Sequence, residues 1–176
     1  MRFDAEGGSA DAFRHLLELG HRHIGHLAAS FDAPAFHLRD ESRRRVLAEA
    51  DLDPDAQPRA LTAIGIDDAR AAAGPLLDER PTAVFCDDDI IAAGLYLAVR
   101  ERGLRIPGDL SVVGFDDMDF ARVLDPPLTT VALDAEQLGA SSFELLEQRM
   151  TGRRTRRKIV LPAKLLVRGS TGPPPR

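Results

Sequence analysis

The sequence predicts an α/β fold in which helices cover both faces of a mainly parallel sheet. The clearest evidence is a strand, a helix and a strand in succession at residues 82–86, 90–102 and 110–115 (TAVFC, IIAAGLYLAVRER and LSVVGF). Both strands are apolar throughout instead of alternating, which is typical of parallel strands covered on both faces. A chain of 176 residues that is 44% hydrophobic and 29% charged is long enough to bury such a sheet in a sizeable core.

The elements before this unit alternate in the same way. In order along the chain, the sequence predicts a helix at 9–19, a strand at 23–29, a helix at 39–50, a strand at 61–66 and a helix at 69–77. Gly20 suits the end of the first helix, because glycine readily adopts the left-handed conformation found there. Pro75 is expected to shorten or kink the last of these helices, and the charged run 43–45 is expected at the surface.

Three further elements follow the central unit. The sequence predicts a strand at 128–133, a helix from Asp134 to Met150 and a strand at 159–167. Asp134 with Gln137 three residues later resembles a capping box, and Pro162 puts a sheet edge or a change of direction within the last strand. The cationic run 149–158 (RMTGRRTRRK) is interpreted as a solvated connection.

Charge and composition argue against several classes of protein. A net charge of -5 opposes nucleic-acid binding by the whole chain, since such binding depends on Lys and Arg that neutralise phosphates. No apolar run approaches the roughly 18 residues of a membrane span, and residues 1–9 carry acidic side chains without an apolar core. The sequence therefore predicts a cytoplasmic protein with no membrane partner. Cys86 is the single cysteine and is expected to be an inert core residue.

Aspartates follow both strands of the central unit, three after the first strand and two at the end of the second. Because the carboxyl ends of parallel strands lie at the same sheet edge, where such folds bind ligands, these side chains are expected to converge. For Asp89 and Asp117, helix capping and turn formation are equally good interpretations. Asp88 and Asp116 are the stronger ligand-binding candidates, because a carboxylate accepts hydrogen bonds from paired hydroxyl groups or from a cation.

An acidic cluster at strand ends also suits Mg²⁺ and phosphoryl transfer, which would use the aspartates at 87–89 and 116–117. Such a site also needs a lysine and a serine or threonine at neighbouring strand ends, and both lysines lie late in the chain. The crowded histidines do not predict a metal site, because His23 and His26 on a strand point to opposite faces. No glycine-rich phosphate loop, GxSxG elbow or CxxC motif occurs. The sequence therefore predicts no cofactor, no metal and no catalytic residue.

Four motifs point to a family. They are HLLELGHRHIGHL (15–27), PTAVFCDDDIIAAGLYLAVRERGLRIPGDLSVVGFDD (81–117), DPPLTTV (125–131) and LPAKLLVRGST (161–171). In this order they resemble the effector-binding domain of LacI/GalR-family bacterial transcriptional regulators, whose fold is periplasmic-binding-protein-like. The resemblance covers nearly the whole chain.

The resemblance implies a type I two-lobed architecture, with parallel sheets flanked by helices and the effector in the cleft between the lobes. It implies an N-terminal lobe from residues 1–30 and 133–160, a C-terminal lobe from residues 31–132 and 161–170, and a loose tail at 171–176. A full family member also has a helix-turn-helix headpiece, a hinge and an opening βαβ portion, and none of these precedes the first residue. The N-terminal lobe is therefore expected to be incomplete.

The resemblance also implies which residues bind the effector. The family's ligand-gripping arginine, in an R-x-x-G-aromatic pattern, matches Arg39, although Ser42 and Arg43 stand in place of the glycine and the aromatic residue. The family's asparagine after the TAVFC strand matches Asp88, and the ligand-facing aspartate after the VVGF strand matches Asp116.

The family implies a domain that senses a small polar effector, expected to be a sugar, and signals to DNA through the headpiece. The intact regulator is expected to be a homodimer, and the domain is not expected to be an enzyme. Two alternatives stay open. One is an extracytoplasmic sugar-binding protein of the same fold, and the other is the Mg²⁺-dependent phosphoryl-transfer enzyme described above.

Overall fold

The computed structural model describes residues 2–151 and 160–175. In chain order its elements are β1 (Arg2–Phe3), α1 (Ala5–Glu18), β2 (Ile24–Ala29), α2 (Pro34–Glu49), β3 (Arg59–Thr62), α3 (Ile66–Asp78), β4 (Ala83–Cys86), α4 (Asp89–Glu101), β5 (Ser111–Asp116), a 3₁₀ turn (Asp119–Arg122), β6 (Thr129–Leu133), α5 (Ala135–Met150), β7 (Val160–Leu161) and β8 (Ala163–Leu166). The alternation of strands and helices confirms the predicted α/β class.

One six-stranded sheet organises the chain, in the order β3-β2-β4-β5-β6-β8. Its neighbouring strands are parallel from β3 to β6, and the edge strand β8 runs antiparallel to β6. The central strands β2 and β4 are buried at every position, as their apolar sequences predict. β1 and β7 form a separate parallel pair.

Helices cover the sheet in two layers, each with its own apolar cluster. α1 and α2 pack on one face, where the ring centroids of Phe13 and Phe85 lie 4.9 Å apart. α3 and α4 pack on the other face around Leu76. Gly94 permits the close approach of these two helices, since a Cβ atom there would lie 2.6 Å from the Cβ of Ala69. None of the described helices is long and apolar enough to cross a membrane.

Several boundaries differ from the prediction. α2 begins at Pro34 and not at residue 39, because proline is compatible with the first turn of a helix. α3 continues through Pro75 without being shortened, and β3 ends at Thr62. Arg43, which was expected at the surface, has a side chain that is only 3% exposed. It lies one helical turn after Arg39, so both arginines face the sheet.

The last part of the chain changes direction at Pro162, as predicted. β7 before this proline pairs with β1, whereas β8 after it pairs with β6. The N–H of Gln137 donates to Asp134 Oδ1 at 2.8 Å, which is half of the predicted capping box. The cationic run 149–158 lies mostly outside the described residues.

Two observations bear on the expected domain boundaries. The expected N-terminal lobe contains residues 1–30 and therefore β2, but β2 lies between β3 and β4 in the six-stranded sheet, where all its residues are buried. The tail expected to be loose from residue 171 is held at its start, because the N–H of Gly172 donates to Ser111 Oγ at 3.0 Å. Ser170 just before it is fully buried. The division of the chain into two lobes stays a prediction.

Candidate functional site

The carboxyl edge of the six-stranded sheet gathers the predicted site residues. β4 and β5 are neighbouring parallel strands, so the aspartates that follow them lie side by side. Asp88 lies near enough to Asp116 to raise the pKa of its carboxyl, and Arg39 reaches the same edge from α2. The structure thus brings together all three residues predicted to bind a ligand.

Arg39 is a cation buried at this edge, with 5% of its surface exposed. Its Nη1 donates to the backbone carbonyl of Asp87, and its Nη2 lies 3.8 Å from Asp116 Oδ1. The guanidinium carbon lies 3.6 Å from the ring centroid of Phe115, a cation–π contact. Arg39 Nε is buried and has no hydrogen-bond partner among the described residues. A donor is therefore left over at the edge.

Asp116 ends β5 with a φ angle of +108°, a conformation that residues other than glycine rarely adopt. Backbone strain of this kind collects at functional sites. Burial raises the pKa of Asp116, the charge of Arg39 lowers it and Asp88 raises it further, which leaves the pKa at about 7. The Asp116 carboxyl therefore changes its charge near neutral pH, and 30% of the side chain remains exposed.

The helix cap that the sequence offered to Asp89 is supplied by Asp88. Asp88 is the residue that caps α4, since its Oδ1 accepts a hydrogen bond from the N–H of Ile90 at 2.6 Å. Asp89 is fully buried and accepts hydrogen bonds from the Thr130 hydroxyl at 2.6 Å and from the Met118 N–H at 2.8 Å. Burial raises the pKa of Asp89 to about 6. Asp89 thus joins α4 to β6, and ligand binding by Asp88 stays a prediction.

Asp117 behaves as a turn residue, in agreement with one of its two interpretations. It has a φ angle of +54°, and its Oδ1 lies 2.5 Å from Arg168 Nη2. Its Oδ2 lies 3.3 Å from Arg122 Nη2. The pair with Arg168 holds the loop after β5 to the segment after β8, and the pair with Arg122 holds it to the 3₁₀ turn.

A buried ion pair lies beneath the site, and the sequence reasoning missed it. His26 Nε2 lies 3.0 Å from Asp87 Oδ1, and each of these side chains is 2% exposed. Asp87 Oδ2 also accepts a hydrogen bond from the N–H of Ala29 at 2.9 Å. The available signal was a histidine inside an apolar strand, and the register places it beside Phe85, two residues before that aspartate.

The other histidines form no metal site with it. His21 lies just before β2, whereas His26 lies within it, and His23 Nε2 lies 2.9 Å from the carbonyl oxygen of Glu79. In the part of the chain that the structure describes, no group of three or more His, Cys, Asp or Glu residues could hold a metal ion. Cys86 is buried, and burial raises the pKa of its thiol, as expected of an inert core residue.

A cavity of about 280 Å³ opens beside Arg39. It is lined by Arg2, Phe3, Ala5, Pro34, Ala35, Leu38, Arg39, Phe115 and Leu133. Its volume is close to the lower end of the range for ligand pockets, about 300 Å³. A mainly apolar wall with two arginines, Arg2 and Arg39, suits a small ring compound that carries a few polar substituents.

Comparison with known proteins identifies the family. A family model of the periplasmic binding protein-like domain matches residues 13–171. The chain belongs to this family. The HTH-type transcriptional regulator DegA of Bacillus subtilis is 36% identical over 172 residues, which cover 97% of this chain and 51% of that regulator. The HTH-type transcriptional repressor CytR of Escherichia coli K12 is 34% identical over 164 residues, which cover 92% of this chain and 48% of that repressor.

Solved structures of LacI-family regulators share the fold. A LacI-family regulator from Enterococcus faecium with bound ribose has a TM-score of 0.93 and 31% identity, over 98% of this chain and 65% of that one. The regulator CelR in complex with cellobiose has a TM-score of 0.89 and 33% identity, over 96% of this chain and 52% of that one. A dimeric Lac repressor with an 11-residue C-terminal deletion has a TM-score of 0.91 and 31% identity, over 98% of this chain and 63% of that one.

These matches confirm the resemblance to LacI-type effector-binding domains and the periplasmic-binding-protein-like fold. The similar proteins are transcriptional regulators and not enzymes. The chain spans about half the length of the curated relatives it matches.

Proposed function

We propose that this chain is the effector-binding domain of a LacI-type transcriptional regulator and that it binds a small sugar at Arg39, Asp88 and Asp116. The observation that carries the proposal is the buried Arg39 guanidinium, which lies beside Asp116 with its Nε unpartnered among the described residues. Buried donors without a partner are uncommon in folded proteins, and an oxygen of a ligand would satisfy this one. Relatives with bound ribose and cellobiose make a sugar the first choice.

The three side chains offer complementary groups to a sugar. Arg39 donates charge-assisted hydrogen bonds, whereas the carboxylates of Asp88 and Asp116 accept hydrogen bonds from neighbouring hydroxyls. The apolar wall of the adjoining cavity suits the C–H face of the ring. These groups bind and orient a ligand, and the domain is proposed to have no catalytic role.

The bound effector would transmit a signal by favouring one arrangement of the regulator over another. Contact with DNA is assigned to a headpiece elsewhere in the regulator, because the net charge of -5 makes this chain a poor partner for phosphates. The domain would act in the cytoplasm, where the regulator meets its DNA.

A second copy of the regulator is proposed to pack beside α4 and the 3₁₀ turn. A cavity of about 630 Å³ lies there, with Tyr96, Leu97 and Leu124 in its wall. Exposed apolar patches of this kind mark interaction sites, and a similar structure is a dimeric Lac repressor. Sedimentation tests the surface: Leu97→Arg is expected to weaken self-association, whereas Leu61→Arg, at an exposed leucine of β3, is not. Equal self-association of both variants would contradict this placement.

The two alternatives are less well supported. Three of the five aspartates at the edge are held by other side chains: Asp87 by His26, Asp89 by Thr130 and Asp117 by Arg168. These carboxylates therefore do not fit a Mg²⁺ site, and a phosphatase assay with and without EDTA is expected to show no metal-dependent activity. An extracytoplasmic binding protein would share the fold, but the curated relatives are transcriptional regulators.

Calorimetric titration with D-ribose and with cellobiose tests the site. Arg39→Ala is expected to weaken binding by about 30-fold or more, because it removes the charged partner of a buried polar ligand. Arg44→Ala is the matched control, since Arg44 lies on the same helix but is exposed and pairs with Asp55 at 2.5 Å. Equal affinities in Arg39→Ala and in the unaltered chain would show that the assignment is wrong.

A further inference from the structure

Beneath the binding edge, two basic and two acidic side chains lie together. His26 lies between two carboxylates, with its Nε2 3.0 Å from Asp87 Oδ1 and its Nδ1 3.7 Å from Asp40 Oδ1. Arg43 Nε donates to the same oxygen of Asp40 at 2.8 Å. The side chains of His26, Asp87 and Arg43 are 2%, 2% and 3% exposed. Such burial disfavours any charge that lacks a partner of opposite sign.

Two aromatic rings and a further arginine complete the surroundings of His26. The rings of Phe13 on α1 and Phe85 on β4 have their centroids 6.5 Å and 5.6 Å from that of the imidazole. On β3, Arg59 Nε lies 3.8 Å from Asp40 Oδ1. Burial lowers the pKa of His26, but the charge of Asp87 and the contacts with both carboxylates raise it, and the result is a raised pKa. The 3.0 Å contact with the Asp87 carboxylate therefore favours the imidazolium form of His26.

Asp87 connects this buried group to the binding site through its backbone. Its carboxylate is fixed by His26 and by the N–H of Ala29, at 3.0 Å and 2.9 Å. Its carbonyl oxygen accepts the hydrogen bond from Arg39 Nη1. That hydrogen bond, together with the cation–π contact with Phe115, holds the guanidinium in place, because Asp116 lies only at ion-pair distance and Arg39 Nε has no partner among the described residues.

We propose that His26 is a positioning residue for the effector site: as an imidazolium paired with Asp87 and lying beside Asp40, it fixes the Asp87 carbonyl that accepts the hydrogen bond from Arg39. The inference rests on the proposed function, in which Arg39 binds the effector. It extends that function by making effector affinity depend on a residue that does not touch the ligand. A side chain that only filled space at this position would be replaced without loss by an apolar one of similar size.

The test compares two buried histidines. His26→Leu removes the imidazolium and keeps an apolar side chain of similar bulk, and His26→Gln keeps a hydrogen-bond donor. The matched control is His21→Leu, because His21 is also fully buried but contacts Thr82, Ser111 and Gly172. Urea unfolding first establishes that each variant folds cooperatively.

Two measurements then follow Arg39 and the ligand separately. In the free chain, ¹⁵N NMR records the exchange of the Arg39 Nε–H with water, and the signal is assigned by its loss in Arg39→Lys. Calorimetry records the affinities for D-ribose and for cellobiose. The same NMR spectra show whether both ring nitrogens of His26 carry protons at pH 7.

His26→Leu is expected to speed the exchange of the Arg39 Nε–H and to weaken sugar binding about 10-fold or more. His26→Gln is expected to restore part of the slow Arg39 Nε–H exchange and part of the sugar affinity. If His26→Leu does not fold, the comparison is made with His26→Gln alone. His21→Leu is expected to change neither quantity, even where it lowers stability. Unchanged exchange and affinity in both His26 variants, or a neutral His26 ring at pH 7, would overturn the proposal.

The failure of the proposed function gives a different result. If the unaltered chain binds neither sugar, the sugar assignment is wrong. The exchange rate of the Arg39 Nε–H in the free chain still decides whether His26 positions that arginine.

Discussion

Two buried histidines, His21 before β2 and His26 within it, show how the two edges of the sheet differ. His21 lies at the amino edge and contacts two hydroxyl groups and one backbone carbonyl, all of them uncharged. His26 lies toward the carboxyl edge, between the carboxylates of Asp87 and Asp40. The two residues are 0% and 1% exposed, so burial does not distinguish them. The charge of their partners does.

This difference separates a structural edge from a functional one. Burial lowers the pKa of His21, so its ring is neutral, and its hydrogen bonds tie the segment at Gly172 to the strands. The carboxyl edge contains buried charges, a strained backbone at Asp116 and a donor of Arg39 that has no partner among the described residues. Functional sites commonly retain groups that are unfavourable for stability, whereas structural regions satisfy theirs.

The largest expected effect is on the charged side of this comparison. Asp87→Ala leaves His26 buried without its ion-pair partner and should lower the free energy of unfolding by about 3–5 kcal/mol. Urea denaturation at pH 7 measures the loss. Asp55→Ala is the control, because Asp55 pairs with Arg44 at the surface, and its effect on stability should be much smaller. Equal losses in the two variants would mean that the buried pair is not charged.

The neutral side of the comparison predicts a smaller loss. His21→Leu removes the partner of Thr82 and Ser111 and should lower the free energy of unfolding by about 1–3 kcal/mol. Sugar affinity should stay the same, since these residues lie at the amino edge. Urea denaturation and calorimetry on the same samples check both statements. A loss of affinity as large as that of His26→Leu would erase the distinction between the edges.

Asp116→Asn is expected to stabilise the chain while weakening sugar binding. The pKa of Asp116 is raised from 3.8 to about 7, so between these values the folded chain binds more protons than the unfolded chain, and stability falls as pH rises. Asparagine lacks this effect and should raise the free energy of unfolding at pH 8 by about 1–2 kcal/mol. At pH 4 the gain should vanish. A loss of stability at pH 8 would place the ionised carboxylate among the stabilising groups.

The smallest expected effect is in the shape of the stability profile against pH. The pKa of His21 is lowered in the folded chain, so its unfavourable charging reduces stability as pH falls below 6.5. The pKa of His26 is raised, so its contribution is complete below 6.5 and is lost as pH rises through the folded value. Thermal melts across this range should therefore show a flatter acidic side in His21→Leu and a flatter alkaline side in His26→Gln. Identical profiles would contradict the two protonation states.

The fold was predictable where the pattern was local. The uninterrupted apolar runs at 82–86 and 110–115 predicted buried parallel strands, and parallel strands end at one edge, which brought Asp88 and Asp116 together. The start of α2 was missed because Pro34 is compatible both with ending one element and with beginning a helix.

The buried part of the site was not predictable in the same way. His26 and Asp87 are 61 residues apart and meet only after β2 and β4 have paired. The sequence shows a histidine in an apolar strand, but its partner depends on tertiary packing. The capping residue was not predictable for a related reason, since either of two adjacent aspartates can cap a helix. In the structure Asp88 accepts the capping hydrogen bond from Ile90, and Asp89 is turned inward to Thr130.

The most direct test of the functional edge is the map of amide chemical-shift changes in the ¹⁵N-labelled chain as D-ribose or cellobiose is added. The account predicts that the largest changes occur at Arg39, Asp88 and Asp116, and that His21 and Gly172 at the amino edge stay unchanged. Changes centred on the amino edge, or binding that leaves Arg39, Asp88 and Asp116 unperturbed, would contradict it.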